Sequence, residues 1–393
     1  MDLKYPILMD GATGTELQKL GMPAGSATAL WAAEHPEAIR AVHEGYLKAG
    51  SNFLIVATFG ANAAALSAHK ASHRVAELNK TLVRIAREAA GDRAIVAGDL
   101  SPTGWLCAPL GDHDFEEIVE VYLEQANALE SAGVDCYLIE TQMALSDIRA
   151  AMLAVRQVSD KPILVSVTAD GNGRLPYGSD MTACLITAQA MGAVTFGLNC
   201  SFGPDLMAEN LLKLAPYAKV PLSSKANAGM PQSIDGRTVY DCPVEAYTDP
   251  LPALYEAGVR LFGGCCGSTP THIAALHEAL QSMEPRPITP AVGEWLASEQ
   301  KVYPLPTGEL PIVPWDEAED AEVPSAILLD AECLDELIDT YPLLNIPLCL
   351  HCGDAAVLEQ ALRVYQGRAA YAGGGLDAEA LAPLTGKYGL VVL

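Results

Sequence analysis

Basic residues are scarce in this sequence. Lys and Arg number 24 against 49 Asp and Glu, which leaves a formal net charge of −25. A nucleic-acid surface needs clustered Lys and Arg, and an anionic membrane face needs the same, so neither partner is expected. Charge of this size serves mainly solubility. Long apolar runs are also missing: no stretch approaches the roughly 20 residues of a membrane-spanning helix. The N-terminal MDLKYPILMDGATG lacks the apolar core and cleavage site of a secretion signal. The expected location is therefore the cytoplasm. Aromatic residues make up only 6% of the chain, so its core must be built from Ala, Leu, Val and Ile.

Those residues are plentiful. Half of the 393 residues are hydrophobic, enough for a sizeable core in one large domain or two. Short apolar runs recur at Ile7–Asp10, Asn52–Phe59, Ala94–Leu100, Asp135–Thr141, Pro162–Thr168, Ala193–Cys200, Pro221–Asn227 and Arg260–Gly267. Several, such as NFLIVATF and PILVSVT, are almost continuously apolar, as parallel strands covered on both faces are. Between them lie segments of helical period, such as FEEIVEVYLEQANALESAG, for which Gly133 is the expected C-cap. Eight βα units in residues 1–284 predict an α/β fold, a (β/α)8 TIM barrel. Residues 285–320, rich in Pro and acids, read as a linker, and residues 321–393 read as a small C-terminal αβ lobe. The closing KYGLVVL reads as a buried strand, so a domain cut short is expected there.

Polar residues collect at one end of these runs. Asp10, Thr58, Asp99, Glu140, Thr168, Asn199, Lys225, Asn227 and the pair Cys265–Cys266 all fall at predicted C-terminal strand ends, the rim where barrel enzymes keep their active sites. Ten cysteines in a reducing compartment point to metal binding or catalysis sooner than to disulfides. The key pattern is GLNCSFGP (Gly197–Pro204) followed by FGGCCGSTP (Phe262–Pro270). Three thiolates, Cys200, Cys265 and Cys266, suit Zn2+ and leave a fourth position open, the mark of a catalytic site. Adjacent cysteines cannot both point inward from a regular strand, but the glycines around them permit a turn that brings both sulfurs to one ion. Such a site, already anionic, is a poor activator of water and a good one for an incoming thiol, which becomes the nucleophile. Inert buried cysteines or a vicinal disulfide are the plain alternatives. Cys349, His351 and Cys352 also resemble a metal cluster, but read more simply as a buried strand end.

The stretches MDGATGTELQKLG (Met9–Gly21), ATFGAN (Ala57–Asn62), IETQMALSDIRAA (Ile139–Ala151), GLNCSFGP, SKANAGMP (Ser224–Pro231) and GGCCGSTPTHI (Gly263–Ile273) resemble the homocysteine S-methyltransferase family, and within it the homocysteine-binding module of cobalamin-dependent methionine synthase. The resemblance implies zinc at Cys200, Cys265 and Cys266, and homocysteine as acceptor. It implies that Asp10 and Glu140 receive the substrate ammonium, that Gly11 and Ala12 offer backbone N–H groups to its carboxylate, and that Thr58, Phe59 and Gly60 form a second backbone contact. Asn199 and Asn227 hold loops or substrate; Lys225 pairs with a rim carboxylate. NIPLCLHCGDAAVLEQALRVYQGRAAYAGGG resembles part of the pterin-binding domain that follows in methionine synthase. Where that family carries Asp-Ser and Asn, this chain has His351-Cys352 and Gly373–Gly375, so groups that hold a pterin are lacking. The expected donor is methylcobalamin on a separate corrinoid protein. An S-methylmethionine or betaine-type donor is the alternative, and a non-catalytic thiol- or zinc-binding subunit is a third reading.

Overall fold

In the computed structural model the described residues are 4–234, 237–283, 289–318, 325–340 and 347–393. The apolar runs form parallel strands: β1 (Ile7–Leu8), β2 (Phe53–Ile55), β3 (Ile95–Leu100), β4 (Cys136–Gln142), β5 (Ile163–Val167), β6 (Thr195–Asn199), β7 (Leu222–Ala226) and β8 (Val259–Gly264). Their order in the sheet is β1-β8-β7-β6-β5-β4-β3-β2. A parallel bridge from Met9 to Phe53 closes the ring between β1 and β2. The result is a (β/α)8 barrel, as the sequence predicts. Every residue of β4 and β5 is buried, which explains their lack of polar alternation: both faces are covered, one by helices and one by the barrel core.

The helices form where sequence and caps agree. Helix Phe115–Ala132 starts at Asp114, whose capping box with Glu117 satisfies N-terminal donors, and ends at Gly133 in the left-handed conformation. Between β7 and β8 the chain adds an antiparallel hairpin, Gln232–Ile234 with Arg237–Val239, on the rim side.

The C-terminal lobe is a five-stranded parallel sheet, β9 (Ile312–Val313), β10 (Ala326–Leu328), β11 (Cys349–His351), β12 (Ala370–Tyr371) and β13 (Val391–Val392), paired in chain order. The expected linker, 285–320, contains two paired elements. Trp295–Ala297 and Val302–Pro304 form a hairpin, and β9 already belongs to the lobe's sheet. Prolines favoured the linker reading, but edge strands tolerate them, and Pro304 ends one such strand. Residues 285–288 and 319–320 lie outside the described residues, as does part of the expected 321–393 lobe.

Barrel and lobe are tied through polar contacts, some of them buried. Arg149, fully buried on helix Leu145–Val158, donates to the carbonyls of Leu362 (2.6 Å) and Arg363 (3.3 Å) and to Gln366 Oε1 (3.2 Å). Arg363 makes a two-point contact with Glu116 at 2.6 and 2.8 Å. Ala297 and Arg368 exchange backbone hydrogen bonds. Among the described residues no helix is long and apolar enough to cross a membrane.

Candidate functional site

Of the predicted rim residues, Asp10, Asp99, Glu140, Lys225 and the pair Cys265–Cys266 line one cavity of about 200 Å³, whereas Thr58, Thr168, Asn199 and Asn227 do not. Its lining includes Asp10 and Gly11 after β1, Ile55–Ala57 and Phe59 after β2, Asp99, Glu140, Lys225, and all three cysteines. The cavity thus combines three sulfurs with three carboxyl groups, one ammonium group and apolar side chains.

Cys200, Cys265 and Cys266 bring their Sγ atoms within 4.8 Å of one another, the one such group of metal-ligating side chains among the described residues. Cys200 and Cys266 are 3.6 Å apart. The turn after β8 explains how adjacent cysteines converge. Cys265 N–H donates to the Ala226 carbonyl (2.8 Å), and the Cys265 carbonyl accepts from the Ser268 N–H (3.0 Å) and hydroxyl (2.8 Å). Gly267 adopts φ +79°, open to glycine at little cost. Gly264 has no room for a side chain, since a Cβ there would lie 2.1 Å from Ser268 Oγ.

On the other side of the cluster, Cys200 itself is left-handed, φ +61°, and Thr141 has φ +58°. Non-glycine residues hold such conformations at a cost of about 1–3 kcal/mol and only where neighbours enforce them. Here the enforcer is Asn199. Its Oδ1 accepts from Thr141 N–H (3.0 Å) and the Ser166 hydroxyl (2.9 Å), and its amide donates to Thr141 Oγ1 (2.7 Å) and approaches Cys265 Sγ (4.0 Å). Asn227 donates to the Cys200 carbonyl (3.0 Å), while its Oδ1 is buried without a hydrogen-bond partner. Both asparagines therefore shape the cysteine loops and neither is among the residues lining the cavity.

Hydrogen bonds from Cys200 and then Cys265 draw the Cys266 thiol far below its ordinary range, while those with Cys265 and then Cys266 push Cys200 far up. A cluster that stabilises a thiolate through its neighbours is one whose protons a thiophilic cation readily displaces. Three convergent sulfurs and an unsatisfied asparagine oxygen beside them fit a soft metal ion.

Lys225 Nζ contacts Glu140 Oε2 at 2.5 Å, with side chains only 6% and 10% exposed. Burial raises Glu140, and Lys225 opposes the rise. Burial would lower Lys225, but Glu140, Cys265 and Asp10 hold it above its usual value. Asp10 Oδ2 accepts from Ile55 N–H (2.9 Å), and burial pushes its carboxyl up to about 7. Asp99 is pushed well up by burial and then by Glu140.

The expected backbone contacts need revision. Thr58 N–H donates to the Val56 carbonyl, its hydroxyl bonds the Asp99 backbone, and Gly60 N–H donates to Ser101 Oγ (2.8 Å). Both N–H groups are spent on the rim itself, and only Phe59 of that trio lines the cavity. Ala12 N–H donates to Ser268 Oγ (3.1 Å), leaving Gly11, with Thr13 and Gly14, on the cavity wall. Lys225 of the SKANAGMP stretch pairs with a rim carboxylate as expected, and Asp99, which no motif singles out, joins the site from its strand end. Ser268, which links β1's loop to the cysteine turn, lay unnoticed within the GGCCGS motif. Cys349, His351 and Cys352 form no cluster: the Cys352 thiol donates to the Asp354 carbonyl, and His351 Nδ1 lies 3.3 Å from that of Ala372.

The comparisons agree with this geometry. The family model for homocysteine S-methyltransferase matches residues 7–280. Methionine synthase from Mycobacterium tuberculosis is 29% identical over 293 residues, covering 70% of this chain, and the Mycobacterium leprae methionine synthase is 29% identical over 289 residues, covering 69%. The match spans only 24% of each of those relatives. Among solved structures, the metallated form of homocysteine methyltransferase MmuM from Escherichia coli superposes with a TM-score of 0.59 at 26% identity, covering 70% of this chain and 96% of that one. The barrel, its rim and its three cysteines thus sit within a matched span of 274 residues, and this chain belongs to the homocysteine S-methyltransferase family.

Proposed function

We propose that this chain transfers a methyl group to the thiol of homocysteine, forming methionine, with zinc held by Cys200, Cys265 and Cys266. The observation that carries this reading is the lining of one cavity: three sulfurs within 4.8 Å of one another together with a buried acidic group. A small amino-acid thiol carries a sulfur and an ammonium that match the two kinds of group. Zinc held there supplies the Lewis acidity that keeps an acceptor thiol deprotonated near neutral pH.

The chain's own residues do the rest. Asn199 and Ser268 fix the loops that carry the cysteines. The acidic group receives the ammonium by charge-assisted hydrogen bonding. Ile55–Ala57 and Phe59 cover the aliphatic carbons and limit water near the sulfur. The acceptor loses its thiol proton to solvent. Its sulfur then forms a bond to the methyl carbon as the donor–methyl bond breaks, with that electron pair leaving on the donor. Such a displacement needs little beyond alignment and an available thiolate.

For the donor we propose methylcobalamin carried by a separate corrinoid protein, because the curated relatives matched are methionine synthases four times as long as the matched region. One observation favours a second reading: this barrel covers 96% of the E. coli homocysteine methyltransferase, so a barrel alone can be a complete unit, and S-methylmethionine or a betaine would then serve directly. A methyl-transfer assay with homocysteine and a donor panel decides. Methionine formed only with a methyl-corrinoid protein is the expected result; turnover of S-methylmethionine without corrinoid overturns the donor assignment. Failure of the zinc-loaded protein to bind any thiol would instead leave it a non-catalytic zinc-binding subunit.

A further inference from the structure

The family match ends at residue 280, yet a side chain beyond it is tied to the cavity wall. The turn between Trp295–Ala297 and Val302–Pro304 lies against the loop that follows β5. Asp180 N–H donates to the Glu299 carbonyl (2.9 Å), Ser179 Oγ donates to Glu299 Oε1 (2.7 Å), and Arg174 Nη1 donates to the Gln300 carbonyl (2.7 Å). That loop in turn grips the end of β4, where Glu140 and Thr141 line the cavity. Thr168 N–H donates to the Gln142 carbonyl (3.2 Å), Tyr177 N–H to that of Met143 (3.2 Å), and Leu145 N–H to Ser179 Oγ (3.0 Å).

Ser179 is the shared link. It is wholly buried, and its hydroxyl accepts from Leu145 while spending its one proton on Glu299. Leu145 opens helix Leu145–Val158, whose N-cap residue is Ala144 and has no side-chain cap. The first N–H groups of a helix have no partner within it and need one from outside. Ser179 fills that place from a different loop. A hydroxyl turns freely about its bond; the carboxyl oxygen of Glu299 fixes the proton on one side and so leaves a lone pair toward Leu145.

We propose that Glu299 is a positioning residue for the site: acting through Ser179, it sets the turn after β4 that holds Glu140 and Thr141 against the cavity. A residue outside the barrel thereby shapes the wall that the acceptor meets. Thr141 needs the support, because its φ of +58° persists only where neighbours enforce it. Asn199 holds its N–H and hydroxyl, and the Glu299–Ser179 relay holds the backbone that follows. The lobe's other ties, such as Arg363 with Glu116, do not reach this turn. The effect on acceptor binding rests on the proposed homocysteine reading; the relay itself does not.

Two readouts on the zinc-loaded full chain test it: amide hydrogen exchange at Leu145, and homocysteine affinity by calorimetry. Glu299→Ala is expected to speed exchange at Leu145 about 10-fold, the worth of one hydrogen bond, and to weaken homocysteine about 10-fold through the misplaced wall. Glu299→Gln keeps an oxygen for the Ser179 hydroxyl and is expected to stay within about threefold of wild type in both. Ser179→Ala is expected to match Glu299→Ala, and the double variant to lose no more than about twofold beyond either, because both residues act through one chain of bonds. Arg363→Met loosens the lobe elsewhere and is expected to change neither readout by more than about twofold. The proposal is overturned if Glu299→Ala leaves both readouts at wild-type values, if the two single losses add in full in the double variant, or if Arg363→Met weakens homocysteine as much as Glu299→Ala does. Failure of wild type to bind homocysteine would sink the homocysteine reading instead, with exchange at Leu145 still deciding the relay.

Discussion

Replacing Lys225 with Met tests the electrostatics of the site most severely. The substitution keeps most of the aliphatic length and deletes the charge. Glu140, with a side chain only 10% exposed, then loses its cation. Removing one partner of a buried pair costs about 3–5 kcal/mol because the remaining charge is stranded. The cost should depend on pH in a defined direction. Burial already raises Glu140 above its ordinary value, with Lys225 the main opposing influence, so deleting Lys225 raises it further. A carboxyl whose pKa is higher folded than unfolded binds its proton more tightly in the folded state. It therefore opposes folding once the pH exceeds the unfolded value, about 4.3. The penalty should be largest near pH 8 and shrink toward pH 5.5, by up to about 1.4 kcal/mol per pH unit while Glu140 takes up its proton. Urea unfolding of variant and wild type, run side by side under identical metal conditions at both pH values, measures the difference. A loss below about 1 kcal/mol, or one equal at both pH values, would refute the reasoning.

Other substitutions probe the framework. Gly264→Ala places a Cβ 2.1 Å from Ser268 Oγ, which displaces the hydroxyl bonded to Ala12 N–H and the Cys265 carbonyl. It should weaken metal binding about 10- to 100-fold, as loss of a ligand's supporting contact does, read by chelator competition. Asn199→Ala removes the bonds that hold Thr141 at φ +58° and should lower metal affinity to a similar degree, with helical content by circular dichroism unchanged. Arg149→Met removes the donors to Leu362, Arg363 and Gln366. It should cost about 2–4 kcal/mol and speed hydrogen exchange in helix Ala355–Val364, with metal affinity unchanged.

The barrel was legible because its signal is redundant: each strand is an apolar run, and β4 and β5, buried on both faces, read most clearly. The cysteines were legible because Cys200 and Cys265–Cys266 end two predicted strands amid glycines. What sequence could not provide was the partner of each polar group. Lys225 was expected to pair with a rim carboxylate, but that the carboxylate is Glu140, 85 residues away, only the fold shows. Thr58 and Gly60 look available until Val56 and Ser101 take their N–H groups. Arg149 sits in a helix of ordinary period, and only the fold brings the lobe's carbonyls over it. The hairpin in the Pro-rich stretch was not legible because composition reports how a segment behaves alone, whereas Trp295–Ala297 is ordered by pairing with Val302–Pro304 and Arg368.

The central claim is that three cysteine sulfurs hold zinc and leave it a position for the acceptor's sulfur. Zinc K-edge absorption spectroscopy of the loaded protein, before and after homocysteine, tests it most directly. The account predicts three protein sulfurs at first, rising to four zinc–sulfur contacts with homocysteine, and loss of the increment in Cys200→Ala because that variant no longer holds the ion. A sulfur number that stays unchanged when homocysteine binds would contradict it.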